Sequence, residues 1–510
     1  MSQNRRRHHS NTPTSNGLVP LNMAHLLPAR KTAQTQHLSS MDMEEPSIID
    51  WDGPYDPARP VNWSKSKKWR NIFSIAFLTF LTPLTSSIVA PAVHMIMGTF
   101  HSTNKVLGSF VVSIYLLGFA VGPLVLAPLS EIYGRLYVYQ VSTAIFILWN
   151  VACALAPNLG ALLAFRLFAG ISGSSPLTLG AGSVADLFVE KERGVAMALY
   201  GIGPLMGPVI GPIAGGYLSE AAGWRWVFWL LVIVSGVALL FATILQSETF
   251  EPVLLQRRIK QQRKETGDLI MRSTSARRID PKQNMVQSIV RPLKLLALSP
   301  IVALFAIYMG VVFGYLYLLF TTIPAVYRET YHFSEGSSGL VYIGVGVGAL
   351  IGMVAFGALS DRILVRLTAK NNGTSEPEFR LPLLVPGSLL LPIGFFWYGW
   401  SADKRLHWMM PVVGIGWIGC GITATILAIQ GYLIDAYSEY AASAVAAITV
   451  FRCLVGAFLP LAGPPMYSSL GLGWGNSLLG FIGLGLLPLP AVFYFYGRAI
   501  RTSPRFRVSL

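Results

Sequence analysis

The chain has 510 residues, of which 53% are hydrophobic and only 12% charged, and its mean hydropathy is +0.53. That is about half the charged share of an ordinary globular protein, too little to cover a soluble surface, so a soluble multi-domain enzyme and a disordered chain are both excluded. The formal net charge of +15 must be located along the chain before it is read as affinity for nucleic acid.

Residues 1–71 are polar and offer no apolar run that would act as a signal peptide. They read as a largely disordered cytoplasmic tail. Twelve apolar runs follow, each near the roughly 20 residues that a bilayer-spanning helix needs. The first six lie at 72–95, 107–129, 137–156, 160–185, 195–218 and 225–245. A polar stretch, 246–299, separates them from six more at 300–326, 339–361, 381–401, 408–433, 441–466 and 475–496. The expected fold is an all-α membrane protein of twelve spans in two six-helix bundles, 72–245 and 300–496. A cytoplasmic central loop joins the bundles, and a cytoplasmic tail, 497–510, ends the chain. Residues 1–49 and much of 255–290 are expected to be disordered.

Of the 39 Lys and Arg, 32 fall in segments that are inside when the N-terminus is inside, and 5 fall in outer loops. This bias places both termini in the cytoplasm and accounts for the net charge without nucleic acid. The sequons at Asn62 and Asn372 then lie inside and should stay unglycosylated. Cys153, Cys420 and Cys453 sit in apolar stretches with no CxxC pair, so they read as buried thiols and not as metal ligands.

Taken along the chain, several features carry chemistry. The loop after the second span reads Ala127-Pro-Leu-Ser-Glu131-Ile-Tyr-Gly134-Arg135, and the loop after the eighth reads Gly357-Ala-Leu-Ser-Asp361-Arg362. A carboxylate at a helix end beside an Arg makes a charge latch between bundles that holds one conformation and breaks in another. Arg166 lies in the fourth span, about 9 Å from its outer end, and Arg452 lies near the middle of the eleventh. Charge inside a membrane is costly and usually functional. The fifth span contains Gly203-Pro204, Gly207-Pro208, Gly211-Pro212 and Gly215-Gly216, a glycine face that permits close backbone approach. The eighth span's Gly344, Gly348 and Gly352 read as packing alone. No Asp or Glu stands in the middle of any span, so the acids available for coupling are near inner ends, Asp186 and Asp435 among them. Two interior cations without interior anions lean toward an acidic substrate. Thr82, Ser86, Ser113, Tyr115, Phe313, Tyr317, Tyr342 and Gln430 are candidates to line a central cavity suited to bulky amphipathic solutes.

The two halves repeat. Leu129-Ser130-Glu131 matches Leu359-Ser360-Asp361, Asp186 matches Asp435, and Tyr217 before Gly223-Trp224 matches Tyr467 before Gly473-Trp474. Each pair is six spans apart with the same direction, which makes the bundles parallel repeats able to rock about a shared chamber.

The loop after span two resembles the signature of the major facilitator superfamily, G-x-L-[AS]-D-R-[FY]-G-R-[KR], with departures at Ala127, Ile132 and Leu136. Span five resembles the glycine-proline motif of the superfamily's antiporters. Arg166 with Gly170 resembles its R-x-x-x-G motif, which implies a role in proton or substrate coupling. The segment Trp51 to Trp63 and the stretch Tyr308 to Tyr331 are similar to fungal carriers of the twelve-span drug:proton antiporter group. The resemblance covers about 50–505 of the chain. It implies a proton-coupled exporter of drugs, toxins, polyamines, secondary metabolites or organic acids. It would act as a monomer in the plasma membrane, with no cofactor beyond a proton gradient. An uptake or facilitative carrier and a non-transporting solute sensor are the alternatives. The paired loop motifs disfavour a sensor, which does not cycle. No catalytic His/Asp or Ser/His set and no GxxxxGK loop is present, so neither an enzyme nor an ATP-driven pump is expected.

Overall fold

The computed structural model describes residues 48–189, 192–266, 272–273, 281–437 and 440–502. The tail over 1–47, expected to be disordered and cytoplasmic, and the last residues, 503–510, expected to be cytoplasmic, lie outside the described residues. Apart from one two-residue parallel pairing of Ile48–Ile49 with Arg272–Ser273, the regular structure is helical.

Among the described residues, ten helical stretches are long and apolar enough to cross a bilayer. One of them, Ala441–Thr502, holds two crossings. The chain reverses within it at Gly471 (φ 71°, ψ 179°), which lets Tyr467 Oη donate to Asn476 Oδ1 at 2.9 Å. The twelfth crossing is the first in the chain, Lys65–Ser87. Its mean hydropathy is low because one face carries Asn71, Ser74, Thr79, Thr82, Thr85, Ser86 and Ser87. All seven are buried inside the bundle, and its lipid side needs fewer apolar residues.

The boundaries shift most at two spans. The first apolar run reads to residue 95, yet its helix stops at Ser87 and a separate helix, Val93–Thr99, follows. Pro91 has no N–H to donate and disfavours helix before it, so hydropathy continues where the helix cannot. The eighth span runs nine residues past 361, through Glu335–Leu340 and Ile343–Lys370. Its charged end leaves the apolar layer without leaving the helix. The central stretch also departs from expectation. Glu251–Thr266 and Pro281–Leu298 are helices where disorder was expected. The first of these is rich in Gln, Arg, Lys and Glu, all good helix formers.

Within the first bundle span 1 packs on span 5, span 2 on span 4 and span 3 on span 6; within the second, span 8 packs on span 10, span 9 on spans 10 and 12, and span 7 on span 11. The bundles meet where span 5 reaches the start of span 8 and where span 2 reaches span 11. Single glycines make three of the tight turns: Gly134 (φ 97°), Gly223 (φ 88°) and Gly471. With ψ between 158° and 179° this is a region of backbone open essentially to glycine only. The repeat seen in sequence as Gly223 against Gly473 is therefore structurally Gly223 against Gly471. Asp403 Oδ1 accepts the Gly473 N–H at 3.3 Å, which makes Gly473 part of the helix start and leaves the turn two residues earlier.

Candidate transport site

At the inner end of the first bundle, Gly134 ends span 2 and Arg135 begins span 3. Arg135 Nε donates to Asp186 Oδ2 at 2.5 Å, and Thr249 Oγ1 donates to the same oxygen at 3.3 Å. The buried carboxylate of Glu248 accepts the N–H groups of Arg135 (3.0 Å), Leu136 (3.2 Å), Thr249 (3.0 Å) and Phe250 (3.0 Å). It thereby caps span 3, where free N–H groups and the helix dipole favour an anion. A Cβ on Gly134 would stand 2.2 Å from Glu248 Oε2, so the glycine serves both the turn and the cap. Glu131 is exposed at the end of span 2.

The second bundle builds a similar tie from different residues. Arg380 Nε donates to Asp435 Oδ2 at 2.5 Å, and its Nη1 lies 3.9 Å from Asp361. Arg362, beside Asp361 in sequence, is exposed. In both bundles the acid at the end of the even span is held by an Arg at or just before the start of the preceding odd span. These ties join segments of one bundle and do not bridge the two. The sequence reading found Arg135, Asp186, Asp361 and Asp435. It missed Glu248 and Arg380, whose partners are distant in sequence.

The bundles are joined toward their outer ends. Glu220 Oε2, on span 5, accepts the Gly336 N–H at 2.8 Å and the Ser334 hydroxyl at 2.9 Å, both at the start of span 8. A Cβ on Gly216 would be 2.6 Å from Glu335 O. Deeper in, Ser86 Oγ and Tyr317 Oη are 2.8 Å apart, and Ser113 Oγ donates to Ala457 O at 2.7 Å. Three of the expected cavity residues, Ser86, Ser113 and Tyr317, therefore stand at this seam and are buried in it, while Tyr115 is buried within the first bundle beside Arg166. Thr82 Oγ1 donates to Gly173 O within the first bundle, and Tyr342 Oη donates to Phe320 O within the second. Phe313 and Gln430 are half-buried.

Arg166 is 1% exposed. Its Nη2 donates to Ser86 O and Val112 O, each at a long 3.4 Å, while Nε and Nη1 have no acceptor. Its guanidinium lies 5.5 Å from the Tyr115 ring and 5.9 Å from the Phe228 ring. The Tyr115 hydroxyl is also buried without a partner, as is Asn150 Oδ1 on span 3. Arg452 is half-buried, stacks 4.9 Å over Phe313 and leaves Nε without an acceptor.

The span 5 glycines do not face the seam as one surface. Gly203, Gly207, Gly211 and Gly215 lie against the backbone of span 1, with Cβ positions 2.9, 2.8, 2.8 and 1.8 Å from Phe80 N, Phe80 O, Leu84 O and Ile88 O. Pro204 and Pro208 are half-buried between them and Pro212 is buried. Gly344, Gly348 and Gly352 approach Val412 O, Gly416 O and Cys420 O of span 10, which is packing within one bundle.

A folded segment absent from the sequence reading's site precedes span 1. Asp56 accepts N–H groups from Ala58 (2.8 Å) and Asp52 (3.0 Å) and the Arg258 Nη1 at 2.8 Å, and Arg258 also holds Asp52. Arg59 Nε donates to Glu251 Oε1 at 2.8 Å. The Trp51–Trp63 segment is thus clasped to the helix Glu251–Thr266. A cavity of about 650 Å³ lies beneath it, lined by Arg59, Asp186, Arg193 and Glu251 among others. The donors that hold Asp56, those of Ala58 and Asp52 foremost and then Arg258, keep its carboxyl below the usual carboxylate range. Among the described residues no group of His, Cys, Asp and Glu is placed to hold a metal ion.

Comparison with known proteins places the chain. The profile of the Major Facilitator Superfamily matches residues 75–460. The chain is 66% identical to the MFS transporter cpaT of Aspergillus oryzae, covering 91% of this chain and 93% of that one. It is 52% identical to the MFS-type transporter penM of Penicillium rubens, over 92% of each. It is 43% identical to the efflux pump radE of Floropilus chiversii, over 96% and 91%. Among solved structures, the partially occluded inward-open xylose transporter XylE of E. coli shares the fold with a TM-score of 0.63 at 16% identity, covering 84% of this chain and 98% of that one.

Proposed function

The chain belongs to the Major Facilitator Superfamily and is a secondary membrane transporter, and from that premise we propose that it is an exporter. It moves a small organic molecule outward by alternating access and takes its energy from the proton gradient. It works as a monomer in the plasma membrane. The observation that carries this reading is the seam. Besides apolar contacts such as those of Phe110 with Phe458 and of Val209 with Gly346, the two repeats touch through hydrogen bonds at their outer halves, Glu220 with Ser334 and Gly336, and Ser86 with Tyr317, which break and re-form as the bundles rock. The relative radE, which is called an efflux pump, supports the outward direction.

In this reading Arg166 and Arg452 contact the solute. Asp186 and Asp435 take protons from the inner side: a proton on either one weakens its hold on Arg135 or Arg380 and lets the inner end of that bundle rearrange. Glu131, Gly134, Asp361 and Arg362 shape the same two inner ends. The test is direct. Cells lacking the gene should retain a metabolite that wild-type cells release to the medium, and vesicles holding the purified protein should move that metabolite against the imposed proton gradient. Movement with the protons would make the protein a symporter, and accumulation unaffected by gene loss would remove the export reading.

A further inference from the structure

Two guanidinium groups lie within the membrane-spanning part of this chain with no carboxylate to neutralise them. Arg166 is almost wholly enclosed, and its Nε and Nη1 are unused. Arg452 leaves its Nε unused. Among the described residues neither forms an ion pair. Every Asp and Glu of the spans stands near a span end, so no small rotation brings one to either Arg. Enclosing an uncompensated charge is costly enough that a charge of opposite sign is normally found beside it. Here the protein does not supply one.

The two cations are also connected. Arg166 donates to Ser86 O; Ser86 Oγ meets Tyr317 Oη at 2.8 Å; the Tyr317 ring lies 5.2 Å from Phe313; and Arg452 stacks 4.9 Å over Phe313. This line crosses the seam from span 4 to span 11. When the bundles part, the surface it exposes has a guanidinium from each bundle with aromatic rings between them, and beside Arg166 the unpartnered Tyr115 hydroxyl. A planar guanidinium with free N–H groups is matched by a carboxylate or an equally delocalised acid, which it can hold with two parallel hydrogen bonds. Rings on either side accept a flat conjugated body.

We propose that the substrate is carried as an organic anion, an ionised acid on an aromatic or conjugated skeleton, whose negative charge completes the site formed by Arg166 and Arg452. This rests on the export reading above for the direction of movement but not for the binding. It has an energetic consequence. A negative charge leaving a cell whose interior is negative moves downhill in the membrane potential, by about 50-fold in concentration ratio per 100 mV for one charge. Export of an anion therefore draws on the potential directly, which suits a chain with no acid at mid-membrane to carry a proton.

The test uses the purified full chain and three aromatic acids, naphthalene-1-acetate, anthracene-9-carboxylate and pyrene-1-butyrate, each against its neutral amide, with binding followed by tryptophan quenching. At least one carboxylate should bind tenfold or more tightly than its amide, and Arg166→Gln and Arg452→Gln should each reduce that preference to near parity. Should Arg166→Gln fail to fold, Arg452→Gln and the unaltered chain still decide the matter. Equal binding of acid and amide, no binding of any acid, or a preference that survives both substitutions overturns the proposal. In vesicles, a potassium-diffusion potential without a pH gradient should drive efflux of the preferred acid. Charge-selective binding without flux under either gradient would sink the export reading and leave the anion site standing. Flux without charge selectivity would do the reverse.

Discussion

Spans 2 and 4 of the first bundle and spans 8 and 10 of the second are packed by the same device. A Cβ on Gly170 would be 2.2 Å from Tyr115 O, and one on Gly419 would be 2.4 Å from Val345 O. Gly118 and Gly122 press on span 4 as Gly348 and Gly352 press on span 10. Backbone touches backbone in both, and only glycine leaves room for it. The side chains carried on this shared frame differ. Four residues before Gly170 stands Arg166, and four before Gly419 stands Ile415; the carbonyl that Gly170 meets belongs to Tyr115, and its counterpart to Val345. The repeat fixes geometry twice, while charge is placed once on it. The second cation, Arg452, comes from span 11, whose partner in the first bundle is the glycine-proline span 5. Function here lies in the departures from symmetry.

The strongest way to break this comparison is to crowd both frames. Gly170→Val and Gly419→Val each drive a side chain into a carbonyl, an overpacking that costs about 3 kcal/mol where the backbone cannot yield. Both variants should lose the single sharp peak of the parent protein in detergent gel filtration, and to similar degrees. If only one is tolerated, the two frames are not equivalent.

Exchanging the side chains on the intact frames should separate stability from activity. Arg166→Leu removes a buried charge that has no ion-pair partner, and with it the desolvation penalty of enclosing that charge. It should raise Tm while lowering export roughly 10- to 100-fold, the range for one charge-assisted hydrogen bond. Ile415→Arg does the opposite on the second frame, burying a charge with no partner prepared, and should lower Tm sharply. A fall in Tm for Arg166→Leu would mean that the protein itself satisfies this Arg.

The sequence made the spans legible because hydropathy and length are local, and it made Arg166 and Arg452 conspicuous because charge in an apolar run needs no partner to be noticed. Gly134 was visible as part of a motif, but its reason was not. The carboxylate of Glu248 that fills the space above it lies more than a hundred residues further along. Arg380 was hidden for a related cause. The motif after span 8 points to Arg362, whereas a longer loop lets Arg380 reach Asp435 instead. The end of span 1 was misplaced because hydropathy does not register the missing N–H of Pro91. The clasp on Asp56 was recognisable as a motif before span 1, but its partner helix had been read as disordered.

The inner ties offer a finer comparison. Arg135 and Asp186 have side chains 14% and 18% exposed, against 24% and 33% for Arg380 and Asp435. Water therefore screens the second pair more. Arg135→Ala strands a half-buried carboxylate and should destabilise by about 1–3 kcal/mol, and Arg380→Ala by less. The exchange Arg135→Asp with Asp186→Arg should recover part of the loss. Thermal unfolding of the purified proteins measures all three, and equal losses from the two single substitutions would show that exposure does not set their strength.

The smallest effect concerns the clasp of Trp51–Trp63 on Glu251–Thr266. Because the Asp56 carboxyl is held below its ordinary value by the N–H groups of Ala58 and Asp52 and by Arg258, its contribution is fully present above the unfolded value of about 3.9. It is lost as pH falls through the lower, folded value. The clasp should therefore be unchanged from pH 8 to pH 5, loosen below about pH 4 and open at lower pH still. Hydrogen exchange of residues 51–63 would follow it directly. Asp56→Asn keeps the shape but loses the charge that Arg258 needs, so exchange there should be faster already at neutral pH and no longer depend on acid, while spans 7 to 12 exchange as before. If acid loosens the Asn variant as much as the parent, Asp56 is not the group that titrates and the clasp is held by Arg59 and Glu251 instead.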